Sequence, residues 1–131
     1  MTSQRLEIVL DASALLAVLK GERGKERVLD YLTGSAISTV NLSEVLQKTM
    51  ESSASPALII AGVRALGLTF MPFSDSDAEA AAMLRGATQR HGLSLGDRAC
   101  LALALRLGLP VLTSDRVWQE VNVGVEVRLI R

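Results

Sequence analysis

The chain has 131 residues, 49% of them hydrophobic, and 14 Lys and Arg balance 14 Asp and Glu, so its formal net charge is zero. That length suits one domain with a real core, while the neutral charge and 3% aromatic content argue against a broad basic nucleic-acid footprint and a base-stacking platform. No run reaches the roughly 18 apolar residues of a membrane span, Met1–Glu7 lacks the basic-then-apolar form of a secretion signal, and the lone Cys100 excludes an intrachain disulfide, so a soluble, cytoplasmic protein is expected.

Residues 6–10 read as a buried strand and Ala12–Leu19 as the helix after it, with Gly21 and Gly24 breaking the chain. Residues 25–33 form a second amphipathic helix on Val28, Leu29 and Leu32. Gly34-Ser35 turns into a strand at 36–40, and Asn41 reads as the N-cap of a helix carrying Leu42, Val45, Leu46 and Met50. Ser52–Pro56 is a loop, and Pro56 suits the first turn of a helix over 56–66. Gly67 closes that helix before a strand at 68–71. Ser74 caps a helix running to about Arg90, with Asp75, Asp77 and Glu79 near its start as capping and solvent-facing acids. Residues 95–107 are apolar on nearly every face, which predicts a central, buried helix with Cys100 in the core. A strand at 111–113, a short helix around the packing anchor Trp118 and a strand near 125–130 finish the chain. Alternating strands and helices predict one α/β domain over residues 1–131, with a central parallel β-sheet flanked by α-helices.

Four acids sit where an apolar run gives way to a helix: Asp11, Glu44, Asp97 and Asp115. In an open parallel α/β sheet all four positions fall outside the carboxyl ends of the strands, where ligands bind. Carboxylates gathered there repel one another unless a cation or extra protons compensate. A site for a hard divalent metal is therefore expected. Each acid also has a plainer reading. Asn41-Leu42-Ser43-Glu44 fits a capping box, Ser94-Leu95-Gly96-Asp97 fits one loosely, and Asp11 and Asp115 can cap the helices that follow them. Asp97, however, opens the most apolar helix in the chain, where an unpartnered charge is costly. Ser13, Thr113 and Ser114 lie beside these acids and can orient a carboxylate or a water.

Other chemistries lack their parts. One histidine (His91, at a helix end) and one cysteine exclude the usual zinc ligand sets, and no Gly-x-Gly-x-x-Gly or Walker lysine motif is present.

Val9-Leu10-Asp11-Ala12-Ser13-Ala14-Leu15-Leu16, Ile37-Ser38-Thr39-Val40-Asn41-Leu42-Ser43-Glu44-Val45, Leu93-Ser94-Leu95-Gly96-Asp97-Arg98-Ala99-Cys100 and Val111-Leu112-Thr113-Ser114-Asp115-Arg116-Val117-Trp118 occur in this order across nearly the whole chain. Together they resemble a PIN-domain ribonuclease, in particular the VapC-type toxin of bacterial VapBC toxin–antitoxin pairs. The resemblance implies the PIN fold, Mg²⁺- or Mn²⁺-dependent endoribonuclease activity, a cognate VapB-type antitoxin, an RNA substrate and a homodimer. It implies metal binding by Asp11 and Asp97, completion of the acidic site by Glu44 and Asp115, and supporting hydroxyls from Ser13 and Thr113. All-oxygen ligands agree with a hard metal. Arg98 and Arg116, each directly after a site acid, are candidate contacts to the RNA backbone, with a salt bridge to a neighbouring carboxylate as the structural alternative. The apolar segment 55–66 and the helices within 12–32 are candidate partner surfaces, ordinary core packing being the other use of those residues.

Rival readings stay in view. A haloacid-dehalogenase-like phosphatase wants Asp where Ser13 stands and a late lysine, and no lysine follows Lys48; a receiver domain fails on the same lysine. A PIN nuclease of RNA maturation and a non-catalytic PIN-like binding module are the remaining alternatives.

Overall fold

Five short strands form one sheet in the order β3-β2-β1-β4-β5, every pair parallel. They are β1 Ile8–Leu10, β2 Ser35–Ser38, β3 Thr69–Met71, β4 Val111–Thr113 and β5 Val127–Leu129. This computed structural model describes residues 5–52 and 55–131. Ser53 and Ala54 of the expected loop, and Met1–Gln4, lie outside the described residues.

The helices are α1 Ala12–Lys20, α2 Lys25–Leu29, α3 Thr39–Met50, α4 Pro56–Arg64, α5 Asp75–Met83, α6 Arg85–Thr88 and α7 Leu95–Leu107. Side chains alternate across the sheet with the period of two that strands impose. Ile8, Leu10, Ile37 and Leu112 enter a core with Leu15, Val28, Val45 and Val63. Val9, Ala36 and Val111 enter a second core with Leu101, Leu103 and Trp118. Both faces of the sheet are therefore covered, as the parallel reading required. Trp118 is almost fully buried in that second core, beside Val127 of β5, and anchors the end of the chain as expected. None of the described helices is long and apolar enough to cross a membrane.

Several boundaries differ from the sequence reading, each for a local reason. The helix expected after an Asn41 cap begins at Thr39, because Ser38 Oγ accepts the Val40 N–H and takes the cap instead. Asn41 then falls inside the first turn, fully buried. The helix expected over 25–33 stops at Leu29, and a 3₁₀ turn at Leu32–Gly34 leads into β2, with Ser35 Oγ donating to the Leu32 carbonyl. The helix expected from Ser74 to Arg90 breaks at Leu84. Gly86 weakens it there, and Thr88 Oγ1 donates back to the Leu84 carbonyl at 2.8 Å, a bond that bends helices.

The break between α1 and α2 needs its glycines. Gly21 ends α1 at φ +67°, and Gly24, at φ +95°, lies so close to the Ile130 carbonyl that a Cβ would overlap it.

Candidate active site

Because every strand is parallel, the chain leaves each one at the same edge of the sheet, and two of the four acids stand there directly. Asp11 follows β1 and begins α1; Asp115 follows β4 after one residue and begins a 3₁₀ turn, Arg116–Glu120. The other two are carried there by helices: Glu44 lies in the second turn of α3, after β2, and Asp97 in the first turn of α7. All four line one open pocket of about 340 Å³, together with Ser13, Ser114 and Lys48. The structure thus brings together the four acids that the sequence reading placed at one edge.

Each aspartate is tied down through one oxygen. Asp11 Oδ2 accepts from Ser13 Oγ and Thr113 Oγ1, both at 2.7 Å. Those hydroxyls are themselves held, since Ser114 N donates to Ser13 Oγ at 3.0 Å and Asp115 N to Thr113 Oγ1 at 3.1 Å. The backbone leaving β4 thus reaches Asp11 through two short relays. Asp97 Oδ2 accepts the Ser94 N–H at 2.9 Å while Ser94 Oγ accepts the Asp97 N–H, so the loosely expected capping box is complete. Asp115 Oδ1 accepts the Val117 N–H, also a cap. Capping and pocket lining are therefore not alternatives for Asp97 and Asp115; the same side chains do both.

Glu44 departs from its expected cap. Its Oε1 accepts from the side-chain Nδ2 of Asn41 at 2.9 Å, not from the Asn41 backbone. With Ser38 as N-cap, the Asn41 N–H lies inside the helix and the capping-box geometry is gone.

Asp11 is only 5% exposed, and burial, opposed in part by the two hydroxyl bonds and reinforced by the charge of Asp97, pushes its carboxyl from the ordinary 3.8 up to about 6. Cys100, fully buried beneath the pocket, has its thiol held well above the ordinary range by burial first and then by Asp11, Asp97 and Glu44. It is a core residue, as expected.

The two arginines part company. Arg116 is exposed on the turn after Asp115. Arg98 is not in the pocket: it is 9% exposed, and its Nη1 donates to the Ala81 carbonyl on α5 at 2.8 Å. Neither a phosphate contact nor the anticipated salt bridge describes it, because its helical position points it between α7 and α5.

Sequence reasoning missed two residues. Lys48 lines the pocket, one helical turn beyond Glu44; the i, i+4 spacing on α3 was the available signal. Asp77 was read as a cap facing solvent. It does complete a capping box with Ser74, yet it is buried and paired with Arg106 of α7 at 2.8 Å. Burial alone would raise its carboxyl, but the bonds from Arg106 and Ser74 outweigh that and hold it low.

The donor set is entirely oxygen, which fits Mg²⁺ or Mn²⁺ and not a softer metal. Among the described residues no three His, Cys, Asp or Glu side chains converge on one ion position. That is compatible with Mg²⁺, which is commonly held by one or two carboxylates and keeps much of its water. Asp11 and Asp97 both line the pocket, and the charge of Asp97 raises the Asp11 carboxyl.

A five-stranded parallel sheet of this order with four acids at its carboxyl edge defines an α/β fold with an acidic site. The PIN domain family model matches residues 8–124, and the chain belongs to that family. Among solved structures, its fold is similar to DNA-bound VapBC from Salmonella typhimurium (TM-score 0.75, 20% identity, covering 96% of this chain and 99% of that one). It is also similar to a member of the VapBC toxin–antitoxin family from Mycobacterium tuberculosis (TM-score 0.62, 25% identity, 99% of each chain). A third likeness is to a sarcin–ricin-loop-cleaving VapC toxin of Mycobacterium tuberculosis (TM-score 0.73, 16% identity, 92% of this chain and 99% of that one). No curated protein matches significantly.

Proposed function

We propose that this chain is a metal-dependent endoribonuclease and the toxin half of a type II toxin–antitoxin pair. The observation that carries the reading is the gathering of Asp11, Glu44, Asp97 and Asp115, from four separate segments, around one pocket at the carboxyl edge of the sheet. Asp11 and Asp97 would hold the metal, with Glu44 and Asp115 completing the acidic lining. When bound, Mg²⁺ or Mn²⁺ supplies positive charge that makes water a better nucleophile and offsets charge developing at the phosphodiester.

The chain's own groups set the geometry. Ser13 and Thr113 fix the Asp11 carboxylate through Oδ2, so its position does not depend on a rotamer equilibrium. Ser94 does the same for Asp97. Water adds to phosphorus, its proton passes to a carboxylate of the pocket, and the P–O bond to the leaving ribose oxygen breaks as that oxygen takes a proton from solvent water. Lys48 at the pocket wall and exposed Arg116 beside it supply positive charge for flanking phosphates.

The partner in this reading is a VapB-type antitoxin. The surface offered to it is α4, which presents Leu58 at 74% exposure and Ile60 next to an apolar groove formed with Leu42, Leu46 and Phe70. Of the earlier candidate surfaces, α1 does not qualify, because Leu15, Leu16 and Ala17 are buried in the core.

Cleavage of structured RNAs by the purified chain with Mg²⁺, with Mn²⁺ and with EDTA, beside Asp97→Asn, tests the activity. Asparagine can keep the α7 cap, so loss of metal-dependent cleavage in a folded variant supports the mechanism. No cleavage by a folded wild-type chain under any condition refutes it.

A further inference from the structure

We propose that Asn41 and Gly96 form a clamp that positions the Glu44 carboxylate against the start of α7, beside Asp97. Both Asn41 bonds run from Nδ2: one to Glu44 Oε1 and one to the Gly96 carbonyl, each 2.9 Å. The amide joins α3 to α7 at the point where each contributes an acid to the pocket. Gly96 completes the seat, since a Cβ there would stand 2.5 Å from Glu44 Oε1 and 2.8 Å from Cδ and Oε2. The carboxylate lies directly on the glycine.

The arrangement is hard to explain by folding alone. Asn41 is fully buried, and its Oδ1 has no hydrogen-bond partner. A buried amide oxygen left unpaired is a cost to the fold. The Gly96 carbonyl sits inside α7 and does not need a side-chain donor to be satisfied there. An apolar side chain at 41 would therefore serve packing better. What the amide adds is control of Glu44, which has more rotatable bonds than the three aspartates and is repelled by them.

The clamp rests on the nuclease reading and adds a positioning role for two residues outside the acidic set. Asn41 and Gly96 act through Glu44 and touch neither metal nor RNA. Glu44 is the far end of a flexible side chain, so a methyl at Gly96 displaces it without forcing the backbone apart. Gly96→Ala consequently separates function from folding.

The experiment uses the full chain and four variants: Gly96→Ala, Glu44→Gln, the double variant, and Asn41→Leu. Mn²⁺ binding is followed by the EPR signal of free Mn²⁺, RNA cleavage at saturating Mn²⁺, and thermal unfolding in EDTA. Gly96→Ala and Asn41→Leu are expected to unfold no earlier than wild type, while Mn²⁺ affinity or cleavage falls about 10–100-fold, the usual cost of losing an outer-shell partner. Adding Gly96→Ala to Glu44→Gln is expected to change nothing further, since both act through one carboxylate. In the unmodified chain the Asn41 Nδ2 protons are expected as resolved, slowly exchanging NMR signals. Wild-type Mn²⁺ binding and cleavage in Gly96→Ala, an additive double variant, or Asn41 amide protons averaged with solvent each overturn the clamp alone. A wild-type chain that neither binds Mn²⁺ nor cuts RNA overturns the nuclease reading and the clamp's purpose with it.

Discussion

Asp11 is the acid whose environment is most at odds with its charge, and replacing it with asparagine should stabilise the metal-free protein while abolishing activity. The carboxyl is pushed up to about 6 in the fold against the ordinary 3.8. A folded-state value above the unfolded one means that the native protein binds the proton more tightly. Its contribution to stability is then fully present below about 3.8 and lost as pH rises through about 6. The whole difference corresponds to about 3 kcal/mol, of which about 1.4 kcal/mol separates pH 8 from pH 5. An asparagine in its place carries no charge to bury and still accepts the Ser13 and Thr113 hydroxyls through one oxygen, although its NH₂ group loses the second acceptor. A net gain of about 1–2 kcal/mol at pH 8 is expected after that loss. Urea unfolding in EDTA at pH 5 and pH 8, with wild type and Asp11→Asn side by side, measures both numbers. Wild type should lose about 1.4 kcal/mol more than the variant between the two pH values. Equal pH slopes, or a variant less stable than wild type at pH 8, would show that the buried carboxylate is not under the strain assigned to it.

Two further outcomes follow from pairs outside the pocket. Arg106→Gln leaves the buried Asp77 without its cation and should cost about 1–3 kcal/mol in urea unfolding at pH 7, less than for a fully buried pair because Arg106 is 36% exposed. Asp77 is held below its ordinary value, so this stabilisation is present above about pH 4 and fades as pH falls further; the deficit of the variant should close in acid. Arg98→Ala removes the bond to the Ala81 carbonyl and should lower stability by about 1–3 kcal/mol with RNA affinity unchanged, and a folded variant with weakened RNA binding would return Arg98 to the site.

The acids were legible in the sequence because their signal is local. An apolar run, a turn and a helix start fix where Asp11, Glu44, Asp97 and Asp115 sit along the chain, and parallel pairing then carries all four to one edge. What stayed hidden depends on contacts between distant segments. Asp77 reads as an ordinary capping acid until Arg106, on another helix, is seen beside it. Arg98 looks available because it follows Asp97, but one step along a helix turns a side chain by about 100°, here into α5. The α3 boundary failed because Ser38 and Asn41 both cap well in isolation. In the fold Ser38 takes the cap, and Asn41, inside the helix, bonds instead to Gly96, 55 residues away.

The strand order also sets when this site can exist. β1 is translated first, yet it lies at the centre of the sheet, with Val9 paired to Ala36 on one side and to Val111 on the other. While the chain is being synthesised, that second edge stays open until β4 has emerged. Asp115, and the Thr113 hydroxyl that steadies Asp11, arrive only with it. An acidic pocket assembled in this order carries its own delay: on the proposed reading, the ribosome making the chain faces no finished site until the residues through Asp115 have left the tunnel.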